Sequence, residues 1–269
     1  MFDRSMAIET GEIASRKAAI SAAEALLGHP LLLVANHEDR LAVREGDGLP
    51  VDAAIGGKTG VNLATGKNLF GAFHQPLAVL CDDDFLATLP PREVANGYGE
   101  VAKCCLLRQR PAASLSAVGV SALIHDAIAL KADIVSADEK ESGARALLNY
   151  GHTLAHAIEA LAIDGAELDI RHGEAVAIGL MFAARLAEAL GRIDRAAVEN
   201  HRATLEFFGL SGELPERLSV DGLLDAMARD KKAHHDFTFV LDGVNGPEVV
   251  SGVPREVIYE QLLAAGGVK

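Results

Sequence analysis

The stretch Arg145-Ala-Leu-Leu-Asn149-Tyr-Gly151-His152-Thr-Leu-Ala-His156-Ala-Ile-Glu159 decides how the chain is read. Its residues Arg145, Asn149, His152 and His156 step by four, three and four. On a continuous helix that spacing lines one edge with a cation, an amide and two imidazoles. A solvated face is seldom so poor in Lys and Glu. The edge therefore reads as the wall of a polar pocket, and two histidines one turn apart suggest a metal in it. Two buried histidines capping backbone carbonyls account for the same pattern, and the segment alone does not separate the two readings.

The 269 residues suffice for one large domain or two small ones. Hydrophobic residues make up 49% of the chain and tryptophan is absent, so the core must be built mostly from Ala, Leu, Val and Ile. A formal charge of −13, with no run of Lys or Arg, argues against nucleic acid as a partner. The basic residues are scattered, which suits a small anionic substrate gathered in a pocket. The three cysteines, Cys81, Cys104 and Cys105, show no CxxC spacing and read as those of a reduced, cytoplasmic protein. The N-terminus has no apolar signal region, and no apolar run reaches the length of a membrane span, so no membrane partner is expected.

Periodicity and turn residues predict a helix over 18–27, then strands over 31–35 and 77–81. Further helices are expected over 92–107, 123–136, the quoted stretch, 175–190 (led in by His172-Gly173-Glu174), 195–208 and 221–229. A β-hairpin is expected where Phe237–Leu241 and Glu248–Val250 flank the turn residues Asp242–Gly246. Between 51 and 68, VDAAIGGKTGVN and GKN read as a glycine-rich loop. Its exposed N–H groups with Lys58, Thr59, Lys67 and Asn68 would cradle an oxyanion, unless it is an ordinary loop with solvated lysines. Glu100 and Lys103 are three apart and can be a surface ion pair worth a few tenths of a kcal/mol.

Glu100, His152 and His172 stand out in or at the start of apolar helices. Two imidazoles and a carboxylate are the ligand set of an open catalytic zinc site. No spacing rule joins residues so far apart, and the local spacing favours His152 with His156 as the ligand pair. Here the motifs become specific enough to name a family. The chain resembles 3-dehydroquinate synthase, within the sugar-phosphate cyclases. The resemblance rests on VDAAIGGKTGVN (51–62), GKN (66–68), FHQP (73–76), DFLATLPPREVANGYGEVAK (84–103), KADIVSADEKESGARALLNYGHTLAHAIEA (131–160), RHGEAVAIGL (171–180) and DKK (230–232), in the family's order. It runs from about residue 51 to the end, roughly four-fifths of the chain.

The resemblance implies roles. Glu100, His152 and His172 match zinc (or cobalt) ligands, and His156 matches a residue beside the substrate phosphate, which displaces the local pair. Lys58, Asn68, Asn149 and one lysine of the DKK motif, Lys231 or Lys232, match phosphate and substrate contacts. Lys103, Lys131 and Arg145 match groups on the substrate's hydroxyls and carboxylate, for which a guanidinium fork is suited. Glu141 matches a residue of the substrate pocket. Asp52, Lys67, Phe85, Thr88 and Leu89 match contacts near the nicotinamide end of NAD. The implied function is a lyase converting 3-deoxy-D-arabino-heptulosonate 7-phosphate to 3-dehydroquinate and phosphate, in the shikimate pathway of aromatic amino acid biosynthesis. A dimer is implied as well.

The departure from the family's pattern is at the front, where only about fifty residues precede the GGKTGVN motif and the glycine-rich NAD pyrophosphate segment has no counterpart. The expected fold is therefore mainly α. Residues 1–83 would form a truncated α/β remnant carrying the GGKTGVN loop, and 84–269 a dehydroquinate synthase-like helical domain, metal- and substrate-binding, with a small β-hairpin. Two alternatives stand beside the lyase: a non-catalytic metal- or phosphate-binding remnant, and a metal-dependent alcohol dehydrogenase. The phosphate-cradle lysines argue against the second.

Overall fold

Helices make up most of the computed structural model, which describes residues 55–56, 61–63, 66–70, 86–87, 89–139, 143–163, 168–216, 218–230 and 237–268. Strands β1 (Val61–Leu63) and β2 (Gly66–Phe70) pair antiparallel. Lys67 and Asn68 thus lie on a strand, where a loop was expected. Val61-Asn-Leu and Asn68-Leu-Phe alternate and are β-prone, and that outweighs the glycines around them. The predicted elements over 18–27, 31–35 and 77–81 lie outside the described residues.

Helix α1 (Pro91–Leu107) opens with proline in its first turn, where no N–H is needed, and with Glu93 facing the positive end of the helix dipole. A 3-10 turn at Ala112–Ser114 and the short α2 (Leu115–Val118) lead to Gly119, whose φ of 84° breaks the chain before α3 (Val120–Ala137). Next comes the stretch that opened the reading, and it is not one helix. Ala144–Asn149 is a 3-10 segment, and α4 (His152–Ile163) begins only at His152. Tyr150 is extended (φ −58°, ψ 124°) and Gly151 left-handed (φ 78°), the succession found in a type II turn. Arg145 and Asn149 therefore do not share an edge with His152 and His156.

Helix α5 (His172–Ala189) is buried around its circumference from Ala175 to Ala184, as that unbroken apolar run requires. It packs against α1 and α4, and also against α6 (Arg195–Phe207). Asp194 starts α6 by accepting a hydrogen bond from the Ala197 N–H at 2.9 Å. After α7 (Val220–Asp230), strands β3 (Phe237–Leu241) and β4 (Glu248–Val253) form the expected antiparallel hairpin, and α8 (Arg255–Ala264) packs on α5 and α7. Cys104 and Cys105 are buried and unbridged. Among the described residues no single helix is long and apolar enough to cross a membrane.

Two glycine contacts set how closely the central helices approach. A Cβ on Gly173 would stand 1.7 Å from the Asn96 carbonyl oxygen, and one on Gly99 would stand 2.4 Å from the Gly173 oxygen. On the other side, a Cβ on Gly179 would meet the Gly151 oxygen at 1.9 Å. Thus α1 meets α5, and the turn before α4 meets α5, backbone against backbone.

Candidate metal centre

Each of three polar residues sits one position from one of these glycines. Glu100 follows Gly99 in α1, His152 follows Gly151 at the start of α4, and His172 precedes Gly173 at the start of α5. The close backbone contacts therefore bring the three side chains into one place. Their donor atoms all lie within 4.8 Å of one another. Glu100 Oε1 is 3.4 Å from His152 Nε2 and 3.4 Å from His172 Nε2. Ligand bonds of about 2.05 Å at tetrahedral angles put neighbouring donors about 3.3 Å apart, so this spacing fits a zinc-sized ion. Glu100 Oε1 is buried and has no hydrogen-bond partner among the described residues, an expensive state for a carboxylate oxygen unless a cation lies against it.

The other atoms of the trio are occupied in ways that leave these lone pairs pointing inward. His152 Nδ1 lies 3.0 Å from the Tyr150 carbonyl oxygen, an acceptor, so Nδ1 carries the proton and Nε2 the lone pair. His172 Nδ1 lies 3.1 Å from Glu159 Oε1, which sets the same tautomer. A carbonyl or carboxylate behind each imidazole is the usual support of a metal-bound histidine. Glu100 Oε2 pairs with the Lys103 ammonium, and both side chains are nearly inaccessible, at 7% and 2% exposure. This is a buried pair inside the site and not the surface pair that the sequence suggested. The partners lie three apart on one face in either case; only the packing of α5 and α4 over that face decides that water is excluded.

Charge reinforces this arrangement. Burial works against ionisation of Glu100, but the Lys103 ammonium and His152 outweigh it and hold the carboxyl well below its usual range. Burial, and then Lys103, lower His152, so it is neutral at pH 7. Burial also works against a charged His172, yet the carboxylates of Glu100 and Glu159 on the two sides of its ring push it up to about 10. A proton and a divalent cation compete for its Nε2.

Around the trio, His156 is half-buried with its ring centroid 5.4 Å from that of His152, but it contributes no donor to the group. Lys131 is buried on α3, which packs on α1. Arg145 is buried and donates to backbone carbonyls, from Nη1 to Glu139 at 2.5 Å and from Nη2 to Gly56 at 2.8 Å. It ties the positive-φ turn at Gly56 to the end of α3. Asn149 is half-buried at the end of the 3-10 segment, and Leu89 is half-buried ahead of α1. Asp52, Lys58, Phe85, Thr88, Glu141, Lys231 and Lys232 lie outside the described residues, and for Lys67 and Asn68 only the strand is described. Sequence reasoning assigned no role to Glu159. Its signal was its position two turns after His152 on the same helix, which puts it on the same side.

Comparison with known proteins gives a consistent picture. Residues 97–233 match the family described as 3-dehydroquinate synthase C-terminal, and 49–96 match 3-dehydroquinate synthase N-terminal. A protein of Amycolatopsis mediterranei (strain S699), provisionally named aminodehydroquinate synthase, is 50% identical over 212 residues, covering 79% of this chain and 58% of its own length. The 3-dehydroquinate synthase of Arthrobacter sp. (strain FB24) is 47% identical over 222 residues, covering 78% and 60%. Among solved structures, 2-deoxy-scyllo-inosose synthase complexed with carbaglucose-6-phosphate, NAD+ and Co2+ matches with a TM-score of 0.68 at 28% identity, over 81% of this chain and 63% of that one. The chain spans about three-fifths of the length of the curated relatives it matches.

Proposed function

This chain belongs to the 3-dehydroquinate synthase family, and we propose that it acts as a carbon–oxygen lyase of that family, converting 3-deoxy-D-arabino-heptulosonate 7-phosphate to 3-dehydroquinate and inorganic phosphate. The observation that carries the reading is the trio Glu100, His152 and His172, with its orphaned carboxylate oxygen and two oriented imidazoles. These residues would hold Zn2+ or Co2+. Such an ion supplies Lewis-acid polarisation of substrate hydroxyl groups.

The rest of the chemistry is positioning and charge stabilisation by this chain's own groups. In this reading Lys103 and Lys131 donate to substrate hydroxyls from a buried floor, where a donor is worth more than in water. Arg145 serves the substrate carboxylate; to reach it, the guanidinium exchanges its carbonyl partners at Gly56 and Glu139 for the ligand. His156 and Asn149, with Lys58, Asn68 and either Lys231 or Lys232, receive the phosphate. Glu141 completes the substrate pocket. NAD is the expected cofactor, contacted by Asp52, Lys67, Phe85, Thr88 and Leu89. The ligands named for the inosose synthase, a sugar-phosphate analogue, NAD+ and Co2+, support this assignment of ligand classes.

A second reading is favoured by the Amycolatopsis relative: the same reaction on an amino-substituted analogue of the substrate. One experiment tests both. NAD binding is measured by titration calorimetry, then phosphate release is followed with Zn2+ and either substrate. Release from the heptulosonate phosphate is the expected result, and release from the amino analogue alone would select the second reading. Zinc uptake without NAD binding or phosphate release would overturn the lyase reading in favour of a non-catalytic metal-binding protein.

A further inference from the structure

His172 differs from the other two candidate ligands in how it is held. Glu100 lies inside α1, and His152 is anchored by the packed turn at Tyr150–Gly151. His172 is the first residue of α5 and follows an irregular segment, so its place depends on what grips that segment. The grip comes from α1. Arg92 Nε and Nη2 donate to Glu174 Oε1 and Oε2, each at 2.9 Å, as a two-pronged fork. The same guanidinium donates from Nη2 to the Asp169 carbonyl at 2.7 Å and from Nη1 to its carboxylate at 2.5 Å. Glu174 Oε2 also accepts from the Arg171 N–H at 2.9 Å, closing the first turn of α5.

One side chain thus holds residues three before and two after His172. It comes from the same helix that carries Glu100, eight residues upstream. We propose that Arg92 is a positioning residue of the metal centre, fixing the first turn of α5 on α1 and with it the separation of His172 from Glu100. The inference rests on the metal-centre reading above. Asn96, whose Oδ1 accepts from the Gly173 N–H at 2.6 Å, acts in the same contact, but it is buried where the two backbones touch. Arg92 sits at the rim with 41% of its side chain exposed, so it can be replaced without opening the core.

The test compares the parent chain with Arg92→Ala, Arg92→Lys and, as a control, Arg195→Ala, which removes an exposed arginine paired with Glu188 and Glu199 away from the metal centre. Each is stripped of metal. Co2+ affinity is read by chelator competition, coordination by the visible Co2+ spectrum, and folding by the thermal midpoint of the metal-free protein. Arg92→Ala is expected to weaken Co2+ binding about 10- to 100-fold and to change the spectrum, the scale of effects seen when support behind a ligand is lost. Arg92→Lys should fall between, because an ammonium cannot reproduce the fork. Arg195→Ala should match the parent. Parent-like affinity and spectrum in Arg92→Ala, or equal losses in Arg92→Ala and Arg195→Ala, would overturn this inference alone. Failure of the parent to bind Co2+ would overturn the metal-centre reading and this inference with it.

Discussion

Replacing Glu100 with Gln separates the two jobs its carboxylate does. The amide keeps the shape but loses the charge that faces Lys103 on one oxygen and the two imidazoles on the other. The first job belongs to folding. Removing one partner of a buried pair generally costs about 3–5 kcal/mol, mostly because the remaining charge stays buried. Exposures of 7% and 2% put this pair in that class, where solvent screening is slight. For a chain of this size about 1 kcal/mol moves the thermal midpoint by roughly 2–4 °C, so metal-free Glu100→Gln should melt about 6–20 °C lower. Adding Lys103→Met should recover much of the loss, since no charge is then left without its partner. The second job is ligation. Zinc at 100 times its dissociation constant stabilises the parent by about 2.7 kcal/mol, and Glu100→Gln should lose that increment. The assay is denaturant unfolding with chelator and with zinc. A metal-free stability within about 0.5 kcal/mol of the parent would refute the buried-pair argument. An undiminished zinc increment would refute the ligand argument, each independently of the other.

Other consequences can be checked in the same preparations. Gly173→Ala places a methyl group 1.7 Å from the Asn96 oxygen, so α1 and α5 must separate. A loss of about 3 kcal/mol or more, with weakened zinc uptake, is expected by denaturation and chelator competition. Glu159→Gln removes the carboxylate behind His172 and should weaken zinc binding about 10- to 100-fold in the same competition assay. Because His172 is raised to about 10 without metal, zinc must displace its proton, and apparent affinity should climb about tenfold per unit between pH 6.5 and 8.5 in a competition titration. The sign for folding is opposite. In the metal-free protein the charged His172 contributes stability that is fully present below its ordinary value near 6.5 and is lost as pH rises toward 10.

By itself the sequence determined the helical character of the chain, the start and end signals of most helices after residue 91, the C-terminal hairpin and the family. These follow from residues close together: a proline at a helix start, glycines in turns, apolar runs and motifs of ten or more residues. The sequence misread the opening stretch because a period of three and four looks the same whether or not the chain breaks. What breaks it is Gly151, taking φ 78° where a Cβ would stand 2.9 Å from the Leu180 side chain and 3.0 Å from the Val176 oxygen. Tertiary structure alone decided the rest. It buried the Glu100–Lys103 pair, and it placed Glu159 behind His172 and Arg92 over the start of α5. Glu100, His152 and His172 come from three separate helices, so no local spacing encodes their 3.4 Å approach. That distance is set where backbone meets backbone at Gly99, Gly151, Gly173 and Gly179, and a contact between helices has no periodicity to read.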